Sequence, residues 1–366
     1  MGEGKKKRRS KEKSVLSSAR FRAAGDLMVH QKQLDIARQP DGSYDFHPQY
    51  AMAAELLGNA DYTIANLETT IGMVGELPYS GYPRFNTPES LLDAVRDAGV
   101  TFLTLANNHI LDRCCEGVAA TADNVEAWGF DFGGVSRRPG EKEKPVVVEI
   151  NGIRTGFLCF TETMNRDSSC TTEEEAKIKA EAYGIKTLRN ADYSLEVRKI
   201  RDAGAEAVIA IPHWGEEYRR EPEANTVLLA KKLIAAGVDV ILGSHPHMVQ
   251  PVEFLEVETD AGKTRTGLAA YSLGNFISNQ SDRYTDSGII LDFTIRRFQK
   301  GDISVENVQV IPTYCWRRDD MIQPLCSKKY LNRAPEGMDQ STWLRLKESY
   351  EELRELIDEK FPMIVH

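Results

Sequence analysis

With 366 residues and 41% hydrophobic side chains, the chain has ample apolar material for a buried core, in one large domain or two smaller ones. The formal charge of −9 understates the acidity of the body, because the opening MGEGKKKRRSKEK carries seven Lys/Arg against two Glu. That balance argues against a nucleic-acid-binding body, and no window approaches the ~18 apolar residues of a membrane span.

In chain order, residues 1–19 read as a basic, solvated tail. No apolar h-region follows it, since SVLSSARFRAAGD soon meets Arg20, Arg22 and Asp26. The expectation is a cytoplasmic chain with no stable membrane span, membrane-associated only if an anchor precedes it. Strand-like apolar runs then appear at ARFRAAGDLMV, DYTIANLE, VTFLTLANN, DFGGV, PVVVEINGIRTGFLCF, AEAVIAIPHWG, VDVILGSH, GLAAYSLGNF and SGIILDFTI. Helical segments ending in glycine separate several of them: PESLLDAVRDAG, CEGVAATADNVEAWG, LEVRKIRDAG and NTVLLAKKLIAAG. Each leads into a strand, which predicts an α/β layered domain.

The Asn151-Gly152 turn predicts a hairpin, and a strand pair near Leu268 to Ile295 suggests a mixed sheet. A two-sheet sandwich flanked by helices satisfies both. SRRPGEKEKP reads as a solvated loop, and RDSSCTTEEEAKIKAEAYGIKTLRNAD as a surface helix inserted on the fold. The domain is expected over 20–315, followed by an extension, 316–366, whose amphipathic helix STWLRLKESYEELRELIDEKF packs on the body. Six cysteines, Cys114, Cys115, Cys159, Cys170, Cys315 and Cys326, show no C-x-x-C spacing and read as reduced structural thiols.

Five of the seven histidines share one context: His30 after GDLMV, His109 in LANNHILD, His213 in AIPHWGEE, and His245 and His247 in GSHPH all follow a predicted strand. Asp26, Asn66, Glu68, Asn107 and Asn108 recur at the same ends. Loops at the carboxyl ends of strands in α/β layers project from a rigid platform into one crevice. Imidazole, carboxylate and amide oxygen suit borderline divalent ions, and six or seven such groups exceed the needs of one tetrahedral site, so the count suggests two metals. Each motif alone is weak. Their joint occurrence resists a packing explanation, since a core would have to satisfy every one of these polar groups separately. Spacing alone does not separate ligand from neighbour among His30, Asn66, Asn107 and Asp112. Arg84, Arg219 and Asn275 lie in or near the same motifs and are candidates to bind substrate.

The motifs GDLMVH, ANLETTIG, LANNHILDRCCEGVAATADNVEAWG, IPHWGEEYRREP, GVDVILGSHPHMVQPVE and YSLGNFI strongly resemble the poly-gamma-glutamate capsule biosynthesis protein CapA family. That family is a branch of the calcineurin-like metallophosphoesterase superfamily, and the resemblance runs from about Arg22 to Ile277. It implies a four-layered α/β/β/α metallo-dependent phosphatase-like sandwich with two divalent ions (Mn, Fe or Zn) at the strand ends. By matching motif, Asp26 and His247 resemble ligands of one ion, with His30 a further candidate although it lies four positions after Asp26 rather than two. Glu68 stands where an aspartate usually bridges. Asn108, His213 and His245 resemble ligands of the second ion. His109 resembles the histidine that protonates the leaving oxygen, a task for which imidazole is suited. Asp112, or alternatively Glu217, would orient its ring.

The implied activity is metal-dependent hydrolysis of a phosphoester or a gamma-glutamyl amide, with an anionic polymer or phosphoester as partner and a link to capsule polymer synthesis. The alternative is a non-catalytic accessory subunit working with polymer-synthesis or export partners.

Overall fold

The computed structural model describes residues 14–72, 78–141, 144–165, 173–189, 191–299 and 301–365. The basic run Lys5–Lys13, part of the loop expected at SRRPGEKEKP, and the opening RDSSCTT of the expected surface helix, with Cys170, lie outside them. In chain order the strands are β1 (Val15–Leu27), β2 (Tyr62–Leu67), β3 (Phe102–Thr104), β4 (Asp131–Gly133), β5 (Val146–Ile150), β6 (Ile153–Thr161) and β7 (Ala207–His213). They continue with β8 (Val240–Leu242), β9 (Val252–Glu258), β10 (Thr264–Ala270), β11 (Asn275–Ile277), β12 (Ser287–Phe298), β13 (Ile303–Arg317) and β14 (Ile322–Cys326). The helices are α1 (Gln31–Ala37), α2 (His47–Tyr50), α3 (Ala53–Leu57), α4 (Ser90–Asp97), α5 (Cys114–Ala127), α6 (Glu173–Ala182), α7 (Tyr193–Asp202), α8 (Ala224–Ala236) and α9 (Gln340–Leu356).

Two sheets form. One has the order β14-β13-β12-β1-β2-β3-β4, with β11 beside β1; the other runs β5-β6-β7-β8-β10-β9. Period-two alternation sets which side chains face which layer. Phe21 and Ala23 of β1, Tyr62 and Ile64 of β2, and Leu291 and Phe293 of β12 meet Phe157 of β6, Ile209 of β7 and Leu268 of β10 in one cluster between the sheets. The opposite faces turn outward. Ala65 and Leu67 join Leu92 and Val95 of α4 and Val118 of α5, while Val208 and Ala210 join Ile200 of α7 and Leu233 of α8. The result is the α/β/β/α sandwich implied by the motifs.

Helices α4, α5, α7 and α8 end at Gly99, Gly129, Gly204 and Gly237, all with positive φ, and each feeds a parallel strand. The Asn151-Gly152 turn, with φ of 48° and 76°, closes the β5–β6 hairpin. Other expectations need correction. The first strand begins at Val15, inside the segment assigned to the tail. The segments near Leu268 and Ile295 do not pair: β10 lies in one sheet and β12 in the other, so the chain crosses between layers at Tyr271–Gly274. The division between 315 and 316 falls inside β13. Helix α9 packs Leu346 on Tyr314, Trp316 and Leu325, and Asp339 caps its start by accepting from Ser341 N and Thr342 N. Among the described residues, Cys114, Cys115, Cys159, Cys315 and Cys326 form no disulfide, and no helix is long and apolar enough to cross a membrane.

Phe21 and Phe293 stack across the β1–β12 pair with ring centroids 5.3 Å apart, both fully buried. Phe293→Ala should cost about 3–5 kcal/mol of unfolding free energy, read as a lower urea midpoint at unchanged m-value.

Candidate metal centre

Strand ends from both sheets supply the polar residues. Parallel pairing of β1 with β2 sets Asp26 opposite Asn66, and Glu68 follows two residues on, on the same side. Strand β3 leads into Asn107, Asn108 and His109, β7 ends in His213, and β8 runs into His245 and His247. Two glycines make the approach possible. A Cβ on Gly25 would lie 1.8 Å from the Gly274 carbonyl oxygen, and one on Gly243 would lie 1.9 Å from that of Tyr271. His245 and His247 both have positive φ, 99° and 58°, on either side of Pro246. Such backbone is rare for non-glycine residues and persists only where the surroundings enforce it.

Two donor groups result, and they share Glu68. Asp26, Glu68 and His247 each offer a ligand atom within 4.8 Å of the others, and so do Glu68, His213 and His245. His247 Nε2 is 3.8 Å from Glu68 Oε1, and His213 Nε2 is 3.7 Å from the same oxygen. Asn108 Oδ1 lies 3.0 Å from His213 Nε2. The His213 and His245 rings are 4.6 Å apart, while His245 and His247 are separated by 6.2 Å, so the two histidines around Pro246 join different groups.

The electrostatics suit a cation. Asp26 and Glu68 are fully buried, and burial, followed by the neighbouring Asp26 carboxylate, pushes the Glu68 carboxyl well above its usual range. Burial, then the neighbouring His245 ring, lowers His213 well below the ordinary imidazole value, and burial, then His247, pushes His245 down to about 4. These rings are neutral lone-pair donors at physiological pH. Glu68 Oε1 and His245 Nδ1 are buried with no hydrogen-bond partner. Orphaned buried acceptors beside two carboxylates are what a divalent ion would satisfy, so the residues fit the implied metals.

Beside this cluster His109 Nδ1 sits 2.7 Å from Asp112 Oδ2, with the Phe85 ring against it at 4.6 Å. Asp112 also accepts from Phe85 N at 2.8 Å. The acid at the His109 ring is therefore Asp112. Glu217, the alternative, instead approaches His247 Nε2 at 4.0 Å.

Four expected residues sit differently. His30 belongs to neither donor group; its Nδ1 accepts from Asn279 N at 3.3 Å, and its ring edge meets Phe85 at 5.5 Å. Burial pushes it down to about 4. Arg219 is exposed and paired with Glu216. Arg84 is exposed, its carbonyl taken by Ser80 Oγ and Arg113. Asn275 is buried and turned toward His247 rather than toward solvent. Motif reading left Asn66 unassigned, yet its amide nitrogen reaches Asp26 Oδ1 at 2.8 Å and Glu68 Oε2 at 3.2 Å. Its place two residues before Glu68 was the available signal. Ser244, 2.9 Å from His213 Nδ1, and Asn165, 3.4 Å from His109 Nε2, carried none.

A family profile described as bacterial capsule synthesis protein PGA_cap matches residues 20–280. The chain belongs to this family. It is 27% identical over 279 residues to the capsule biosynthesis protein CapA of Bacillus anthracis, covering 74% of this chain and 62% of that one. It is 23% identical over 290 residues to the PGA biosynthesis protein CapA of Bacillus subtilis, covering 78% and 70%. Among solved structures, the NAD nucleotidase of Haemophilus influenzae superposes with a TM-score of 0.41 at 12% identity, over 93% of this chain and 60% of that one.

Because the folded Glu68 carboxyl titrates above its ordinary value of 4.5, the metal-free protein should lose stability as pH rises from that value through the folded one. Glu68→Gln should remove this pH-dependent loss and raise the melting temperature of metal-free protein. It should also abolish the further rise that added Mn²⁺ gives the unaltered chain, measured by thermal denaturation with and without the ion.

Proposed function

We propose that this chain is a metal-dependent hydrolase of the metallophosphoesterase type that cleaves a phosphoester or a gamma-glutamyl amide in the handling of an anionic capsule polymer. The observation that carries the reading is the pair of donor groups joined by Glu68, set beside a buried His109–Asp112 pair. Two ions held there, one by Asp26, Glu68 and His247 and the other by Glu68, Asn108, His213 and His245, would activate water and offset negative charge on the reacting group.

The chain's own residues supply the rest. Asp112 accepts from His109 Nδ1 and leaves Nε2 to carry the transferable proton. Phe85 meets the imidazole in a T-shaped contact and the Asn165 amide nitrogen lies 3.3 Å from Nδ1 and 3.4 Å from Nε2, so the ring is held in one orientation. The buried carboxylate stabilises the charged imidazolium, and the proton passes from Nε2 to the departing oxygen or nitrogen. Both bond types end in a poor leaving group that needs this proton. The capsule link rests on family membership and on the names of the Bacillus relatives.

Elemental mass spectrometry should find close to two transition-metal equivalents in the unaltered chain, lost in a Glu68→Ala/His247→Ala double variant. Absence of metal after reconstitution with Mn²⁺, Zn²⁺ or Fe²⁺ would overturn the hydrolase reading in favour of an accessory subunit. His109→Asn should lower kcat by ~10²–10⁴ on an alkyl phosphoester and far less on a nitrophenyl ester, whose leaving group departs without a proton. Equal losses on both would remove His109 from the acid's role.

A further inference from the structure

The contacts of Asn275 determine the chemistry of its neighbour. Its amide nitrogen donates to the Thr285 carbonyl at 3.0 Å and to Gln280 Oε1 at 2.8 Å. A carbonyl can only accept, so the Thr285 bond decides which way the amide faces. Oδ1 is thereby turned to His247, 3.2 Å from Nδ1. Asp26 Oδ2, also an acceptor, lies 3.2 Å from the same nitrogen. Two acceptors on Nδ1 place the ring hydrogen there and leave the lone pair on Nε2, the atom nearer Glu68.

The segment that carries the Thr285 carbonyl is held from outside. Asp286 O accepts from Cys315 N of β13 at 2.8 Å. Its carboxylate takes a two-point contact from Arg345 of α9, Nε to Oδ2 at 2.8 Å and Nη2 to Oδ1 at 3.0 Å. Arg345 also donates to both Glu352 oxygens, at 2.9 and 3.1 Å, and Glu352 accepts from Arg283 on the same segment. The Asp286 side chain is 5% exposed, so water screens this pair far less than a surface one. Residues 281–286 and α9 both lie beyond the 20–280 matched by the family profile.

We infer that Asn275 is a positioning residue that selects the Nδ1-protonated form of His247, and that α9 belongs to the site because Arg345 holds the segment that aims it. The tautomer is a property of the chain alone; its consequence for ion binding rests on the metal-centre reading above.

Two measurements on the full chain separate these. With ¹⁵N-histidine labelling, metal-free protein and mildly alkaline pH, the His247 signals, assigned by their loss in His247→Gln, should show a protonated Nδ1 and an unprotonated Nε2. Asn275→Ala should move them toward a mixture of tautomers, Arg345→Ala in the same direction by less, and the double variant no further than Asn275→Ala. In calorimetric titration with Co²⁺, Asn275→Ala should weaken one of two bound ions by about 10–100-fold and leave the other at its unaltered affinity. A protonated Nε2 in the unaltered protein would overturn the inference whatever the variants do. Equal weakening of both ions would overturn the selectivity for His247, and additive effects of the two substitutions would remove α9 from the site. An Nδ1-protonated His247 in a chain that binds no Co²⁺ would uphold the positioning and sink the metal centre instead.

Discussion

Two carboxylates without access to water, Asp26 and Glu68, set the terms for everything around them. Like charges side by side in a low-dielectric interior are costly unless hydrogen bonds or a counter-charge compensate. Compensation from the chain is partial. Asn66 offers its amide hydrogens to both, but Glu68 Oε1 has no partner, and among the described residues no lysine or arginine forms an ion pair with either acid. Burial keeps His213 and His245 neutral, so they supply lone pairs rather than positive charge. A donor set that is anionic at its centre and neutral at its edge is matched to a cation from outside the chain, and this mismatch is the physical content of the candidate site.

Such a centre needs a rigid frame, and the frame is the apolar layer between the sheets. Asp26, Glu68 and Asn108 come from the eight-stranded sheet, while His213, His245 and His247 come from the six-stranded one. Neither sheet holds a complete donor group: Asp26 and Glu68 meet His247 across the layers, and Glu68 Oε1 lies within 3.8 Å of histidines on the other layer. Side chains such as Phe21, Phe157 and Leu268 therefore act on the site at a distance, by setting the separation and rotation of the layers. Left-handed backbone at His245 and His247 is tolerated because both ends of that turn are anchored: Ser244 N donates to the Pro212 carbonyl and Gln250 N to that of Ser272.

Much of this was legible in the sequence because it depends on local pattern. Glycine-capped helices followed by β-branched runs announced the βα units, and polar residues clustered where each run ended. Strands β13 and β14 were not legible. Their polar, interrupted pattern (ISVENVQVIPTYCWR and IQPLC) matches neither template cleanly, and their place depends on antiparallel pairing, β13 with β12 and β14 with β13. The assignment of β10 and β12 to different sheets also escaped, since a Gly-containing connection reads the same whether the chain turns back or crosses between layers. At the site, ligand types were readable but hydrogen-bond partners were not. Asn275 looked like a substrate contact because strand-end position says nothing about which way an amide faces, and that is settled by Thr285, ten residues on.

A centre divided between two sheets is exposed to shear at its rim, where the apolar layer gives out and only loops remain. Helix α9 lies at that rim. Arg345 holds Asp286 on the segment leading into β12, and the Glu352 carbonyl accepts from Arg220 on the loop that follows His213. Arg220 in turn stacks on Tyr284 at 4.3 Å, and Tyr284 itself sits at a φ of 73°. One helix thus ties the loop beyond a histidine of one sheet to the segment that orients a histidine nearest the acids of the other. A surface helix held by apolar contacts alone could slide along its ridge with little penalty, whereas a two-point guanidinium–carboxylate contact accepts one register. That geometric strictness, rather than added stability, is what a shielded ion-pair network at this position supplies, because a buried pair gains little net free energy over an apolar substitute while still excluding other arrangements.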